Sequence, residues 1–263
     1  MLRSNMSMFG INRNKNMISI LMGLHRLDEY VFPAIESILA QEEIELEFII
    51  VANGKKSSEI ARAIRSNYPN EQRIRIVETP IAQLAHALNI ALSHARYDYV
   101  ARMDADDISH PDRLKKQLDY LTLNNLDLVG TSVRLIDIDG KEIGVKIPPN
   151  KSRINKLLPY KSCFIHPTIL AKKKLLLDVG GYNAGFNSED YDLWLRLRRG
   201  NALWDNMKTP LLDYRIHSAA SQRRLLGYAE VSGLMLREFI LGKKYDFFIA
   251  VWVALIKSFL RSR

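Results

Sequence analysis

The stretch Tyr99-Val-Ala-Arg-Met-Asp-Ala-Asp-Asp107 runs from strand-forming residues directly into three carboxylates. In an open parallel sheet, ligands bind beyond the carboxyl ends of the strands. Asp104 and Asp106 therefore lie where a ligand site is expected, and two carboxylates at this spacing can hold one divalent cation. Such a cation could bridge a diphosphate and neutralise the charge that develops on it.

Aspartate is also common in turns and at helix starts, so these acidic residues have a structural interpretation as well. Asp107 or Ser109 could help to begin a helix near Pro111 and Leu114. Three acidic residues within four positions repel one another unless a cation lies between them. We therefore favour a metal site at this point of the chain.

Apolar segments of strand length recur in the first half at the spacing of strand-helix-strand units. These segments are Ile18–Leu24, Glu47–Val51, Arg73–Val77 and Tyr97–Ala101. Apolar residues between them recur at helical spacing, and Pro33 suits the first turn of a helix. Strands that alternate with helices predict an α/β fold with a mostly parallel, Rossmann-like central sheet and flanking helices.

The second half of the chain mixes strand and helix signals. Val129–Ile136 and Ile143–Ile147 flank an Asp-Gly turn, which predicts a β-hairpin. A short strand is expected at Thr168–Ala171, and a helix near Leu175–Val179 should end at Gly180-Gly181.

The composition of the 263 residues, with 47% hydrophobic and 25% charged, is ordinary for a globular protein. It excludes a disordered tail protein and a collagen-like repeat. Cys163 is the one cysteine in the sequence, so the chain cannot form an internal disulfide and fits a reducing compartment. The net charge of +9 suggests an anionic partner, which could be nucleic acid, a phospholipid surface or a phosphorylated substrate.

A second cluster of carboxylates follows a glycine-containing loop. Ser188-Glu189-Asp190 stands at the start of a predicted helix. Acidic residues in a first helical turn complement the helix dipole and need no further purpose. The same position keeps a carboxylate ionised and aimed out of the helix end, which a general base requires when it takes a proton from a hydroxyl. The residues alone leave both interpretations open.

Two histidines are weaker candidates for a site. In the segment 214–217, Arg215 and His217 could face one phosphate or metal if the chain is extended there. A lone histidine is more often structural. His166 precedes Pro167 and could simply shape a turn.

Neither end of the sequence predicts a membrane span. No apolar run follows the basic residues of positions 1–16, so no signal peptide is expected, and the uncharged run Phe247–Ile256 is too short to cross a bilayer. The C-terminal segment either lies in an anionic membrane interface or packs on protein, whether its own core or a second subunit. As a helix it would place Phe248, Trp252, Leu255 and Phe259 on one side and Ala250, Ala254, Lys257 and Arg261 on another.

Several motifs follow one another in a specific order. They are Ala101–Asp107, Pro111–Leu114 with Gln117, His166–Thr168, Gly180–Tyr182 and Glu189–Arg196. This order resembles family 2 glycosyltransferases with the GT-A fold, of the kind that builds bacterial surface polysaccharides. The likeness covers residues 17–220, with 17–107 as the expected nucleotide-sugar half, 108–220 as the acceptor half and 221–263 as a C-terminal helical segment.

The resemblance implies an inverting enzyme that moves a sugar from a nucleotide-sugar donor to a hydroxyl of a glycan or lipid-linked acceptor. It implies that Asp104 and Asp106 bind Mg²⁺ or Mn²⁺ together with the donor, and that His217 completes the metal site. It assigns the catalytic base to Asp190, with Glu189 as the second candidate.

The segments expected to bind the donor depart from the usual family pattern. Met22-Gly-Leu-His-Arg26 replaces a Pro-Thr-Tyr-Asn-like segment, and Ala52-Asn53-Gly54-Lys55 replaces Asp-Asp-Gly-Ser. Leu24, Asn53 and Arg102, with the two aspartates, are the expected donor-binding residues. The Asn53 amide both donates and accepts hydrogen bonds, so it could still bind the edge of a base whose identity stays open.

Three other functions remain as alternatives. A sugar-nucleotide nucleotidyltransferase usually carries a Gly-rich, Arg-containing loop after its first strand, whereas residues 22–26 contain one glycine. A nucleic-acid-binding protein would cluster its positive charges on one face, and here they are spread, so no nucleic-acid partner is expected. A catalytically inactive relative used for binding would fit the altered donor segments. For an enzyme with a lipid-linked acceptor, the expected location is cytoplasmic and peripheral on the inner face of the cell membrane.

Overall fold

The computed structural model describes residues 17–183, 185, 188–217 and 225–260. The strands in these ranges are β1 (Met17–Leu24), β2 (Glu45–Asn53), β3 (Ile74–Thr79), β4 (Tyr99–Arg102), β5 (Ile108–Ser109), β6 (Leu128–Ile136), β7 (Glu142–Lys146), β8 (Leu170–Lys172) and β9 (Trp204–Arg215). The helices are α1 (Val31–Leu39), α2 (Ser57–Asn67), α3 (Leu84–His94), α4 (Arg113–Leu123), α5 (Lys151–Leu157), α6 (Lys173–Asp178), α7 (Glu189–Arg199), α8 (Leu225–Gly242) and α9 (Tyr245–Leu260).

The described strands form one sheet in the order β3-β2-β1-β4-β8-β6-β9-β5, with β7 paired to β6. β1 pairs in parallel with β2 and β4, and β2 pairs in parallel with β3, so the carboxyl ends of these four strands meet at one edge. The short β8 runs antiparallel between β4 and β6, and β6 pairs in parallel with β9. The predicted α/β architecture is confirmed, with short antiparallel strands inserted in its second half.

Apolar strand residues point alternately to the two faces of the sheet and are buried on both. Ile20 and Phe48 belong to a cluster that α1, α2 and α4 cover, whereas Leu21 and Ile49 face α3 and α7. Helices on both faces are typical of parallel sheets, since both sides of such strands are apolar. The strands that carry the acidic residues at their carboxyl edge are therefore packed on both faces.

The sequence predictions for the second half are partly confirmed. The expected hairpin is present, because β6 and β7 pair antiparallel. Gly180 and Gly181 follow α6 with φ angles of 82° and 71°, as expected for a helix-ending turn. The strand expected at Thr168–Ala171 is different: His166–Thr168 form a 3-10 turn, and the strand begins only at Leu170. Pro167 lacks a backbone N–H and fixes its own φ, which favours the turn.

The structural interpretation of Asp107 and Ser109 as the start of a helix is wrong. Asp107 is fully buried under the carboxyl edge of the sheet. Ser109 lies in β5, which pairs with β9, and α4 begins later at Arg113.

The C-terminal helices α8 and α9 pack against each other and against the domain. On α9, Phe247, Ala250 and Ala254 are buried, while Phe248 and Trp252 are exposed. The predicted alanine side therefore faces the protein and the predicted aromatic side faces outward. No helix within the described ranges is long and apolar enough to cross a membrane.

Some of the sequence predictions fall outside the part of the chain that the structure describes. These are the N-terminal segment 1–16, the side chain of Phe259 and the residue Arg261.

Candidate active site

A cleft of about 810 Å³ opens at the carboxyl ends of β1, β2 and β4. Its lining comes from the residues after β1, the end of β2, the loop before α3, the loop after β4 and the start of α7. The parallel strands thus bring together residues that are far apart in the sequence. Among them are Leu24, Asn53, Gln83, Asp104, Asp106 and Glu189.

Asn53 ends β2 inside the cleft lining, and its side chain is almost fully buried. Its Oδ1 atom is buried and has no hydrogen-bond partner among the described residues. Gly54 follows with a φ of 89°, a left-handed conformation that glycine adopts without strain. A buried amide oxygen costs free energy unless it accepts a hydrogen bond. An N–H group of a ligand in the cleft would satisfy it.

Asp104, Asp106 and Asp107 form a compact acidic cluster, with one carboxylate oxygen of each within 4.8 Å of the others. Burial raises the pKa of Asp104 and holds the pKa of Asp107 well above its usual range. The Oδ2 atom of Asp107 has no partner in the described part of the protein. Oxygen donors at this spacing, one of them buried and unpaired, fit Mg²⁺ or Mn²⁺, which prefer oxygen ligands.

Arg102 lies at the end of β4, behind the acidic cluster. Its guanidinium forms an ion pair with Asp104 and is only 3% exposed. Its Nε atom has no hydrogen-bond partner in the described ranges. Arg102 is not part of the cleft lining, so it would influence a ligand in the cleft through its ion pair with Asp104 and not by direct contact.

The end of β9 holds the loop that carries the cluster. Arg215 donates from its backbone N–H to Asp107 Oδ1 and from its Nε to the Asp106 carbonyl, both at 2.9 Å. His217 Nε2 lies 2.8 Å from Asp106 Oδ2. Arg215 and His217 are the two residues predicted to face one ligand. The His217 side chain contacts the acidic cluster, whereas Arg215 holds the backbone of the loop that carries the cluster.

Sequence reasoning missed Tyr30. Its ring centroid lies 4.3 Å from the Arg215 guanidinium and 5.7 Å from the His217 ring. An arginine over an aromatic ring is a favourable contact. No local sequence signal around Tyr30 predicts its contact with Arg215, because the contact forms only when the start of α1 packs against the end of β9.

Glu189 and Asp190 are the first residues of α7, and both are partly exposed. Glu189 lines the cleft, and Asp190 accepts a hydrogen bond at 2.7 Å from the Tyr191 backbone N–H. Burial and the neighbouring charge of Glu189 raise the pKa of Asp190 to about 7. A carboxyl group that titrates near neutral pH is well suited to accept a proton from a hydroxyl.

The glycine pair before α7 is held by α3. Asn89 donates to the Tyr182 carbonyl and accepts from the Tyr182 backbone N–H, each at 2.8 Å. A Cβ atom at Gly181 would lie 2.4 Å from Asn89 Oδ1, so the close approach requires glycine. The hydroxyl of Tyr182 lies 3.1 Å from His166 Nε2. Burial keeps the pKa of His166 well below its usual range, so this histidine is neutral.

Contacts between α4 and the 3-10 turn explain why two of the sequence motifs occur together. Arg113 and Gln117 are fully buried. Arg113 donates from Nη1 to the Pro167 carbonyl at 2.7 Å, and Gln117 donates from Nε2 to the Thr168 carbonyl at 2.7 Å. These residues support the turn beside β4 and do not enter the cleft.

Comparison with known proteins identifies the kind of molecule that carries this site. The family described as Glycosyl transferase family 2 matches residues 19–180. The chain belongs to this family. The predicted family is therefore confirmed, and the match begins in β1 and ends at the glycine pair before α7.

Curated relatives agree with the family match. The chain is 43% identical over 248 residues to the O-antigen biosynthesis glycosyltransferase WbnJ of Escherichia coli, which covers 94% of this chain and 98% of that protein. It is 31% identical over 212 residues to the UDP-Gal:alpha-D-GlcNAc-diphosphoundecaprenol beta-1,3-galactosyltransferase of Escherichia coli, covering 78% of this chain and 76% of that protein. The chain is thus a glycosyltransferase related to enzymes of surface polysaccharide synthesis.

Solved structures show the same fold. Staphylococcus aureus TarS in complex with UDP-GlcNAc has a TM-score of 0.66 at 15% identity, covering 85% of this chain and 66% of that one. The mannosyltransferase PcManGT of Pyrobaculum calidifontis, with GDP-Man and Mn²⁺, has a TM-score of 0.62 at 16% identity, covering 93% of this chain and 73% of that one. The predicted GT-A fold is confirmed, and the family disfavours the nucleotidyltransferase alternative.

Proposed function

We propose that the protein is an inverting, metal-dependent glycosyltransferase that moves a sugar from a nucleoside-diphosphate donor to a hydroxyl of a growing surface polysaccharide. The observation that carries the proposal is one cleft whose lining includes Asp104 and Asp106 after β4 and Glu189 at the start of α7, the residue next to Asp190. The reaction needs a positive charge that stabilises the leaving diphosphate on one side of the reacting carbon. It needs a base for the acceptor hydroxyl on the other side.

Donor binding would use the ends of β1 and β2. Leu24 would pack against the donor base, and the unpaired Oδ1 of Asn53 would accept a hydrogen bond from it. Two relatives support a nucleotide-sugar donor, since their names or ligands include UDP-Gal and UDP-GlcNAc. The altered segment around Asn53 leaves the base itself open.

The metal site would consist of Asp104 and Asp106, with His217 at its edge. A divalent ion bound there supplies positive charge that stabilises the departing diphosphate. Arg102 would keep Asp104 ionised and correctly placed, because its buried guanidinium pairs with that carboxylate. Arg215 would hold the Asp106 backbone in position.

Asp190 would take the proton from the acceptor hydroxyl as the hydroxyl attacks the anomeric carbon. Its pKa of about 7 matches this task, and it lies in the first turn of α7 beside the cleft-lining Glu189. Glu189, which lines the cleft, is the second candidate. Attack from the face opposite the leaving diphosphate gives inversion at the anomeric carbon.

The acceptor would be a glycan on a diphosphate-linked lipid. A galactosyltransferase that is 31% identical bears such an acceptor in its name. Nucleotide-sugar donors and a lipid-linked acceptor would meet on the cytoplasmic side of the cell membrane, where we place the enzyme.

A donor panel tests the proposal. The protein would be incubated with UDP- and GDP-sugars in Mn²⁺, and released nucleoside diphosphate would be measured with and without lipid-diphosphate saccharide acceptors. We expect release from one donor, dependent on metal and abolished in Asp106→Ala. Donor binding without release with any acceptor would instead favour the inactive relative.

A further inference from the structure

The exposed side of α9 is apolar along its length. Tyr245, Phe248, Ile249, Trp252 and Ile256 are each 44% to 77% exposed. Their spacing of three and four residues places them in one stripe on the helix. A helix at the surface of a soluble protein normally carries polar residues on this side.

α8 packs beside this stripe, with Phe239 against Tyr245 and Phe248, and carries exposed apolar residues of its own. Leu236, Ile240 and Leu241 are 45% to 58% exposed. We call these three residues and the α9 stripe the hairpin face. Contiguous apolar surface of this kind marks an interaction site with a protein or a membrane.

The charged residues of the two helices point inward instead. Arg237 forms ion pairs with Asp192 of α7 and with its neighbour Glu238. Asp246 of α9 pairs with Arg198 of α7 at 3.5 Å. The hairpin is therefore attached to the domain through these ion pairs and through buried apolar residues such as Phe247 and Ala250, and it leaves a second apolar side uncovered.

The charges at the rim of the hairpin face identify its partner. Among the side chains described from 227 to 258, the exposed charged residues are Lys243 and Lys244, which connect α8 to α9. The acidic residues of that range are buried or partly buried. Positive charge beside an apolar surface with exposed Tyr245 and Trp252 is the composition of helices that lie in an anionic membrane interface.

We propose that the hairpin face binds an anionic lipid surface, with α9 lying along it. The 16 residues of α9 would extend about 24 Å in the plane of the membrane. α8 also approaches the cleft, because a Cβ atom at Gly185 would meet Glu230 of α8. If the proposed function holds, the bound membrane presents lipid-linked acceptors near the start of α7.

Tryptophan fluorescence gives a direct test, because the three tryptophans differ in exposure. Trp194 and Trp204 are buried at 0% and 2% exposure, whereas Trp252 is 56% exposed. The full chain would be titrated with phosphatidylcholine vesicles, with and without phosphatidylglycerol. We expect a blue shift of the emission with phosphatidylglycerol, quenching by brominated lipid, and loss of both effects in Trp252→Phe.

Vesicle flotation with matched variants tests the surface itself. Phe248→Glu should reduce binding to phosphatidylglycerol vesicles about tenfold or more, because it removes one aromatic side chain that the membrane would bury and adds a negative charge. Lys243→Glu should weaken binding in a salt-dependent way. Leu123→Glu is the control, since Leu123 lies on α4 and is 85% exposed; this variant should bind like the unmodified protein.

Two kinds of outcome would overturn the proposal. One is a failed lipid test, either equal flotation of Phe248→Glu and Leu123→Glu or no binding of the unmodified protein to anionic vesicles. The other is a dimer in sedimentation velocity that Phe248→Glu dissociates, without lipid binding, which would assign the face to a second copy of the chain. Neither assay uses donor or acceptor, so failure here is distinct from failure of the proposed function.

Discussion

At the level of single residues, the proposed reaction assigns the base to Asp190 of α7 and leaves Glu189 as the second candidate. Asp190→Asn keeps the shape of the side chain but removes its ability to accept a proton. We expect kcat to fall on the order of 10² to 10⁴ while the Kd of the donor is unchanged. Steady-state rates with calorimetric donor titration measure both quantities.

Glu189→Gln is the matched control for this substitution, because Glu189 is the adjacent acidic residue and lines the cleft. We expect a smaller loss of kcat in this variant than in Asp190→Asn. Full turnover by Asp190→Asn, together with a large loss of kcat in Glu189→Gln, would show that Glu189 is the base.

The pKa of Asp190 also predicts the pH dependence of the rate. Its value of about 7 is raised by burial and by the charge of Glu189, while Arg102 acts in the opposite direction. Below this pKa the carboxyl group is protonated and cannot accept the acceptor proton. We therefore expect kcat to rise with pH through about 7 and then level off, as measured at saturating metal and donor. A flat profile between pH 5 and 8 would contradict this assignment.

At the level of elements, the packing of β1 on α3 depends on a glycine. A Cβ atom at Gly23 would lie 2.9 Å from Leu84 Cδ1 and 3.2 Å from Ala87 Cβ. Leu84 Cδ1 is the end of a flexible side chain and can turn away, whereas Ala87 Cβ can yield only if α3 shifts, so Gly23→Ala should lower the free energy of unfolding by about 1 kcal/mol. Chemical denaturation measures the change.

Gly233→Ala is the matched control. Gly233 lies on α8, and a Cβ atom added there would meet no heavy atom within 4 Å. Alanine is the better helix former, so this variant should gain about 0.5 to 1 kcal/mol. Equal effects of the two substitutions would contradict the proposed packing restriction at Gly23.

The elements differ in how far their sequences predict them. β1 and β2 are nearly continuous apolar runs, so their period and length are enough to predict them as strands. β9 is harder to find, because Pro210 lies within it and its pairing with β6 shifts register near Ser132. Its apolar residues therefore do not alternate regularly, and the sequence leaves extended chain open only for the segment 214–217.

The acidic cluster shows the same limit in the site. Adjacent carboxylates after a strand predict Asp104 and Asp106, since the sequence itself places them together. Nothing local indicates that Arg215 supports their loop or that Tyr30 stacks on Arg215, because both contacts join elements that are distant in the chain. The role of Arg102 behind Asp104 likewise appears only with the burial of β4.

At the level of the whole molecule, the acidic cluster joins the two halves of the fold, since the loop after β4 meets the end of β9 there. Mg²⁺ or Mn²⁺ binding to the folded state alone should raise Tm, with an increase that grows with ion concentration. The physical reason is the repulsion among three carboxylates whose oxygens lie within 4.8 Å, which a cation relieves. Differential scanning fluorimetry with and without EDTA measures the shift.

Two variants test where the ion binds. Asp106→Ala should lose the Tm shift, whereas Asp119→Ala should keep it, because Asp119 is a solvent-exposed acidic residue of α4 that pairs with Lys115. A shift of equal size in both variants would place the ion elsewhere on the molecule.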